Sequence, residues 1–278
     1  MCRLYAQISL APRSAADFLA DSERSLFRQS NYRPRDYQKD GWGVGWQDGD
    51  KARLVKSPKA IFDEERRFRA LAAKVRSKIV IGHLRAASNP MRLSKRQLMR
   101  AENAQPFTDG RFVFAHNGTV LIPREVRRFL GPYEDRLEGS NDSEIYFWQF
   151  RKFFDLYGDV PRALQACVDE LWTLWRYRRV NRGRKAEPYI GLNTLVSDGT
   201  SLHAMCLFPQ ERPKLSLFNP KLKWGRMSFG RRDGRVIFAS EELDAGEWGQ
   251  FRTPEIISAT PGKNGISLTR RTFIPRGR

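Results

Sequence analysis

Apolar and polar positions along this chain alternate between the two-residue rhythm of strands and the three-to-four-residue rhythm of helices. Residues 2–9 read as a first strand, and residues 14–29 predict a helix, with Ser14 and Asp17 in capping-box spacing and Phe18, Leu19, Leu26 and Phe27 on one side. Gly41-Trp42-Gly43-Val44-Gly45-Trp46, the turn pair Asp48-Gly49 and residues 52–56 together predict a hairpin. A second helix is expected over 63–78, leading into the buried-type strand Ile79-Val80-Ile81-Gly82. Residues 111–115 form a further short strand ending at His116-Asn117-Gly118. Asn141 and Asp142 suit a helix N-cap and precede an aromatic-rich run over 143–157 that predicts a buried helix. Residues 160–177 carry Leu164, Cys167, Val168, Leu171, Trp172 and Trp175 on one helical face. From residue 189 onward, strand-like runs at 190–196, 202–208, 235–239 and 266–274 alternate with turn signals. The polar stretch 181–188 is the linker candidate, and no internal repeat is visible, so one domain over residues 2–278 is expected.

Composition narrows the class. With 278 residues, 40% hydrophobic and 12% aromatic, the chain can bury a sizeable core, which excludes disorder throughout. No run approaches the roughly 18–20 uncharged apolar residues that span a bilayer. The opening residues are too polar for a secretory signal, so a cytoplasmic location is expected. Cys2, Cys167 and Cys206 are odd in number and widely scattered, which argues against a disulfide framework and against zinc fingers. His83, His116 and His203 lack ligand spacing, so neither metal nor cofactor is expected. Fifty basic against 31 acidic side chains give a net charge of +19, and six of the ten residues 176–185 are basic. That run suits nucleic acid or an acidic partner. A solvated polar loop in a generally basic protein is the preferred reading, because basic residues are scattered throughout and no nucleic-acid motif accompanies them.

Several positions carry candidate chemistry, each with a plainer alternative. Cys2 follows Met1 directly; removal of Met1 would leave a thiol and a free α-amine on one residue, where the amine can take the thiol proton. Otherwise Cys2 is a small residue at the start of a strand. The glycines at 41, 43 and 45 are not followed by a helix and so do not form a phosphate loop; they are better read as letting a neighbouring backbone or ring approach closely. Arg85 leaves an apolar strand and could grip a carboxylate with its planar fork, or form an ordinary surface ion pair. His83, beside it, reads as a hydrogen-bonded structural residue. Asn117 and Gly118 could offer two N–H donors to one oxygen, or simply make a tight turn. Asp142 could bind a cation or cap a helix.

Taken together these pieces resemble class II glutamine amidotransferases, members of the N-terminal nucleophile hydrolases. The resemblance rests on Met1-Cys2, Asp40-Gly41-Trp42-Gly43-Val44-Gly45-Trp46, Gly82-His83-Leu84-Arg85-Ala86-Ala87-Ser88, Asn103-Ala104-Gln105-Pro106-Phe107, Phe114-Ala115-His116-Asn117-Gly118 and Ser140-Asn141-Asp142-Ser143-Glu144, in the family order. It covers residues 2–160 clearly and the later strands more weakly. Within the family, the stretch around Pro106 to Gly118 looks most like short, stand-alone bacterial members, the ergothioneine-pathway amidohydrolase among them. The resemblance implies an α+β fold, a four-layer αββα sandwich of two antiparallel sheets between helical layers. It also implies hydrolysis of a γ-glutamyl amide, either glutamine or a γ-glutamyl conjugate, through a Cys2 thioester. Carried over residue by residue, Cys2 is nucleophile and base, Asn117 and Gly118 form the oxyanion hole, Arg85 with Ser88 holds the substrate α-carboxylate, and Asp142 holds its α-ammonium. Arg3, Ala86 and Gln105 depart from the residues common in large members, which bears on the loop that closes over glutamine and on the acceptor side. Too little sequence remains for an acceptor domain, so a free-standing amidohydrolase is expected, with a glutaminase subunit serving a separate synthase chain as the alternative.

Overall fold

The computed structural model describes residues 2–33, 37–177, 187–208 and 216–276. Most of the linker candidate and most of the basic run therefore lie outside the described residues. Strand β1 (Arg3–Ser14) is followed by β2 (Trp42–Asp48), β3 (Lys51–Ser57), helix α1 (Glu65–Lys74), β4 (Arg76–Leu84), β5 (Phe107–Thr108) and β6 (Val113–Val120). Helices α2 (Asp142–Tyr157) and α3 (Val160–Tyr177) come next. Seven strands complete the order: β7 (Tyr189–Ser197), β8 (Leu202–Cys206), β9 (Ser228–Arg232), β10 (Arg235–Ala239), β11 (Gly249–Gln250), β12 (Glu255–Gly262) and β13 (Gly265–Thr272).

Two antiparallel sheets result, one ordered β11-β9-β10-β1-β4-β2-β3 and the other β13-β12-β8-β7-β6-β5. Strand alternation sends successive side chains to opposite faces, and the buried residues divide accordingly. Leu4, Ala6 and Ile81 meet Val113, Ala115 and Leu195 between the sheets. Tyr5, Trp42, Val44 and Val80 face outward under α1 and its Phe68. Phe112, Phe114 and Leu192 pack beneath α2 and α3. This is the four-layer sandwich expected from the resemblance.

The glycines of β2 do what a strand glycine can do. A Cβ on Gly43 would strike the Gln105 carbonyl, and one on Gly45 would meet Val113 at 2.5 Å, so their absence brings the second sheet against β2. Trp42, on the opposite face, is fully buried, stacks edge-on against Phe68 at 5.2 Å and donates its indole N–H to Glu64 at 3.0 Å. The hairpin turns at Gly49, whose φ of +60° suits glycine.

Local expectations need several corrections. The helix expected over 14–29 is instead the end of β1, a short helical turn at Asp17–Asp21 and another at Leu26–Gln29. Asp17 does not cap; its carboxylate pairs with Arg235 at 2.6 Å, while Ser25 caps the second turn through Arg28 N–H. The helix expected over 63–78 ends at Lys74, and β4 already begins at Arg76. Strands β9 and β12 were not anticipated.

Candidate active site

Cys2 sits immediately before β1, the strand held between β4 and β10. Arg3 pairs with Leu84, so the strand register brings Cys2 beside the segment that leaves β4. There the Ala86 N–H donates to Cys2 Sγ at 3.4 Å, and the thiol donates back to the Ala86 carbonyl at 3.6 Å. Burial pushes the thiol pKa up, opposed by the Ala86 hydrogen bond and by Arg85.

Arg85 is only 3% exposed, so it is not a surface ion-pair residue. Its guanidinium donates to the carbonyls of Asp40 (3.3 Å) and Leu98 (3.0 Å). Asp40, which carries no separate signal of its own in the sequence, fixes this corner: its N–H donates to the Arg85 carbonyl at 3.1 Å and its carboxylate accepts from Ala87 N–H at 2.8 Å.

The facing sheet supplies Asn117 and Gly118. They lie within β6, not in a tight turn, and the pairing of β6 with β7 slips between Gly118 and Val120. Asn117 is 1% exposed, yet neither its oxygen nor its nitrogen has a hydrogen-bond partner among the described residues. A buried amide without partners is costly, and such a side chain suits a visiting polar group. Gly118 has no room for a side chain, because a Cβ would collide with the Gly191 carbonyl and approach His116 Nε2 at 2.7 Å.

His116 and Gln105 brace this strand from both sides. The His116 ring spans Ser143 Oγ (3.0 Å) and the Gly191 carbonyl (3.3 Å), and burial lowers its pKa to about 4, so it is neutral near pH 7. Gln105 donates to the His116 carbonyl at 3.1 Å and accepts its N–H at 2.6 Å. The departure at position 105 is thus a bracket for the backbone preceding Asn117, a role that only the fold discloses.

Asp142 begins α2 but does not cap it; Asn141 does, accepting Glu144 N–H at 2.9 Å. The Asp142 carboxylate instead takes Val120 N–H at 2.9 Å, and burial raises its pKa to about 6 despite that bond and Arg85. Asn103 and Glu144 hold the approach to α2: Asn103 accepts Ser140 N–H at 2.8 Å, and Glu144 accepts the N–H groups of Glu138 and Gly139 at 2.7 Å each.

One cavity of about 320 Å³ is lined by Cys2, Ala86, Ala87, Ser88, Asn117 and Gly118, with Thr119, Ile190 and Trp224 completing it. The fold therefore brings Cys2, Ser88, Asn117 and Gly118 to one space, from positions as far apart as 2 and 118. Arg85 and Asp142 are not among its lining residues, but they lie near enough for their charges to shift the Cys2 thiol in opposite directions. Ile190 and Trp224 carry no sequence signal; they arrive through β7 and the loop before β9. His83 corrects another expectation, because neither ring nitrogen makes a well-formed hydrogen bond, and burial drives its pKa to about 3. Among the described residues no group of three or more His, Cys, Asp or Glu is placed to hold a metal ion, and no helix is long and apolar enough to cross a membrane.

A buried N-terminal cysteine facing an amide-bearing strand across an αββα sandwich defines a class, and the sequence agrees: the chain belongs to the class-II glutamine amidotransferases, whose family model matches residues 25–264. It is an enzyme of that family. Among individual proteins, the γ-glutamyl-hercynylcysteine sulfoxide hydrolase of Mycolicibacterium smegmatis is 31% identical over 251 residues, 88% of each chain. The protein of the same name from Mycobacterium tuberculosis H37Rv is 26% identical over 277 residues, covering 97% of this chain and 96% of that one. In fold, a glutamine aminotransferase class-II domain protein from Silicibacter pomeroyi superposes with a TM-score of 0.65 over 99% of this chain and all of its own, at 20% identity.

Proposed function

We propose that this protein hydrolyses a γ-glutamyl amide through a thioester on Cys2. The observation that carries this is the shared cavity in which the Cys2 thiol meets the unpartnered Asn117 carboxamide and the Gly118 backbone. With Met1 removed, the Cys2 α-amine takes the thiol proton, and sulfur bonds to the amide carbon while the carbonyl π electrons move to oxygen. The oxyanion accepts from Asn117 Nδ2 and Gly118 N–H, in a site where fixed donors are worth far more than in water. Collapse expels the amine with the proton carried by the α-amine, leaving the thioester. Water then gives a proton to the α-amine and adds to the thioester carbon through the same hole, sulfur leaves and takes that proton back, and glutamate is released.

Arg85 and Asp142 would hold the two charges of the α-amino acid head, with Ser88 assisting at the carboxylate. A substrate ammonium beside Asp142 would offset its burial and return the carboxyl to the ionised form. The small Ala86 on the cavity wall leaves the departing side open, which supports a conjugate bearing a larger amine; the two hydrolases named above act on such a conjugate. The span of the family match and the full-length superposition support a single domain over residues 2–278.

The test joins intact mass to a glutamine-analogue electrophile. The expected product is a single covalent adduct on a chain that has lost Met1, mapped to Cys2. A tag retained upstream of Cys2 should abolish turnover, since an acylated amine cannot carry the proton. Full activity in such a fusion would overturn the mechanism.

A further inference from the structure

Two buried polar side chains face the same layer with nothing to bind. His83 follows Ile79 and Ile81 on the inward face of β4, and Asn117 follows Val113 and Ala115 on the inward face of β6; those four apolar residues pack together between the sheets. Strand β4 packs against β6. His83 is fully buried and pairs in register with Leu4 on one side and Gly43 on the other. Its two ring nitrogens and both polar atoms of Asn117 have no hydrogen-bond partner among the described residues. The His116 carbonyl lies near the His83 ring and favours its charged form, but the contact lacks hydrogen-bond geometry. That carbonyl belongs to the peptide group preceding Asn117, so the ring lies beside the backbone that leads into Asn117.

An oxyanion hole built on asparagine has a problem of orientation. The carboxamide presents a donor NH₂ on one side and an acceptor oxygen on the other, and turning it over would set oxygen against oxygen. No bond to Asn117 from Gln105, Asn193 or any other described neighbour fixes its sense. Gln105 is occupied by the His116 backbone, and Asn193 by the Gly225 carbonyl and the Leu207 N–H.

The geometry points to His83 as the positioning residue: as the substrate carbonyl enters, one ring N–H of His83 donates to Asn117 Oδ1, directly or across one water, and turns Nδ2 toward the oxyanion. A neutral ring is sufficient, and burial together with the Arg85 charge keeps it neutral. His83 touches no reacting atom. It acts through Asn117, and the inference rests on the hydrolytic reading above.

The variants are His83→Leu, which fills similar space without a donor, and His83→Gln, which restores one. Kinetics on L-γ-glutamyl-p-nitroanilide should show kcat lowered about ten- to a hundredfold in His83→Leu, with KM within about twofold. His83→Gln should recover most of the loss. Combined with Asn117→Ala, His83→Leu should add less than about twofold. A readout without turnover is the affinity for L-glutamate γ-semialdehyde, whose aldehyde carbon bonds to the Cys2 thiolate while its oxygen takes the negative charge. That affinity should fall about tenfold or more in His83→Leu, whereas the affinity for L-glutamate, which engages only the head site, should not change. Unchanged semialdehyde binding in His83→Leu, or an equal loss of kcat with and without Asn117, would overturn the assignment. If wild type bound neither ligand, the hydrolytic reading and this inference would fall together.

Discussion

Replacing Asn117 by leucine should raise stability and remove activity at once. Leucine branches at the same carbon as asparagine, so its two methyl groups occupy nearly the positions of Oδ1 and Nδ2. In the native fold those two atoms are buried and unpartnered. An orphaned polar group costs about 1–3 kcal/mol, so exchanging it for an apolar group of like shape should gain about 1 kcal/mol after some repacking loss. For a chain of this length that raises Tm by about 2 °C. The same exchange deletes one oxyanion donor, which should lower kcat by about a hundred- to a thousandfold. Scanning calorimetry and steady-state kinetics on one preparation measure both. A kcat within about threefold of wild type would refute the oxyanion role. A Tm lowered by several degrees would show that Asn117 makes a structural bond in solution, contrary to its unpartnered state.

Other expectations test the remaining groups. Arg85→Lys loses the planar fork and should chiefly raise KM, about tenfold or more, with kcat little changed; equal effects on both would contradict a head-binding role. Asp142 titrates at about 6, so kcat/KM for an α-ammonium substrate should fall below that pH by up to about tenfold per unit, with KM carrying the change. Asp142→Asn should flatten that dependence, and a wild-type profile flat from pH 5 to 7 would exclude the pairing. The stability effect has the opposite sign: a native pKa above the ordinary 3.8 favours the fold at low pH, and that contribution is lost as pH rises through about 6. N-acetylglutamine should be turned over at least about a hundredfold more slowly than glutamine, because capping the amine leaves Asp142 buried without its cation; equal rates would sink that assignment. Gly43→Ala should destabilise by about 2 kcal/mol or more, read as a Tm loss, since the added carbon meets the Gln105 backbone carbonyl, which cannot swing aside as a side chain could.

Periodicity located what depends on neighbours in sequence and missed what depends on neighbours in space. Helix α3 runs Val160–Tyr177, and its predicted apolar face is the buried face, because an amphipathic helix declares both its length and its side. Residues 14–29 misled, since Asp17 found Arg235 more than two hundred positions away and gave up the local cap. The motif residues of the site were legible as types in an order. Their geometry was not: Asn141 and Asp142 look equally suited to cap a helix, and only the fold assigns the cap to Asn141 and leaves Asp142 to Val120 N–H. Gln105 could be seen to depart from the family habit, but its bracket on the His116 backbone requires two segments that meet only in the sandwich.

The position of β1 also governs the order in which the site is assembled. Its two neighbours are β4, completed at Leu84, and β10, which begins only at Arg235. Leu4 N–H reaches Ser240 Oγ at 2.9 Å across 236 positions of chain. At about 5–20 residues per second of synthesis, β10 emerges on the order of ten to fifty seconds after Cys2. Such long-range pairing is also slow to form once its partners exist. Throughout that interval β1 lacks one of its two neighbours, which leaves time for the removal of Met1 that the proposed mechanism requires. The strand that carries Cys2 into its cavity is therefore completed on one side only by the last quarter of the chain, so the first part of the protein to be made is among the last to be locked in place.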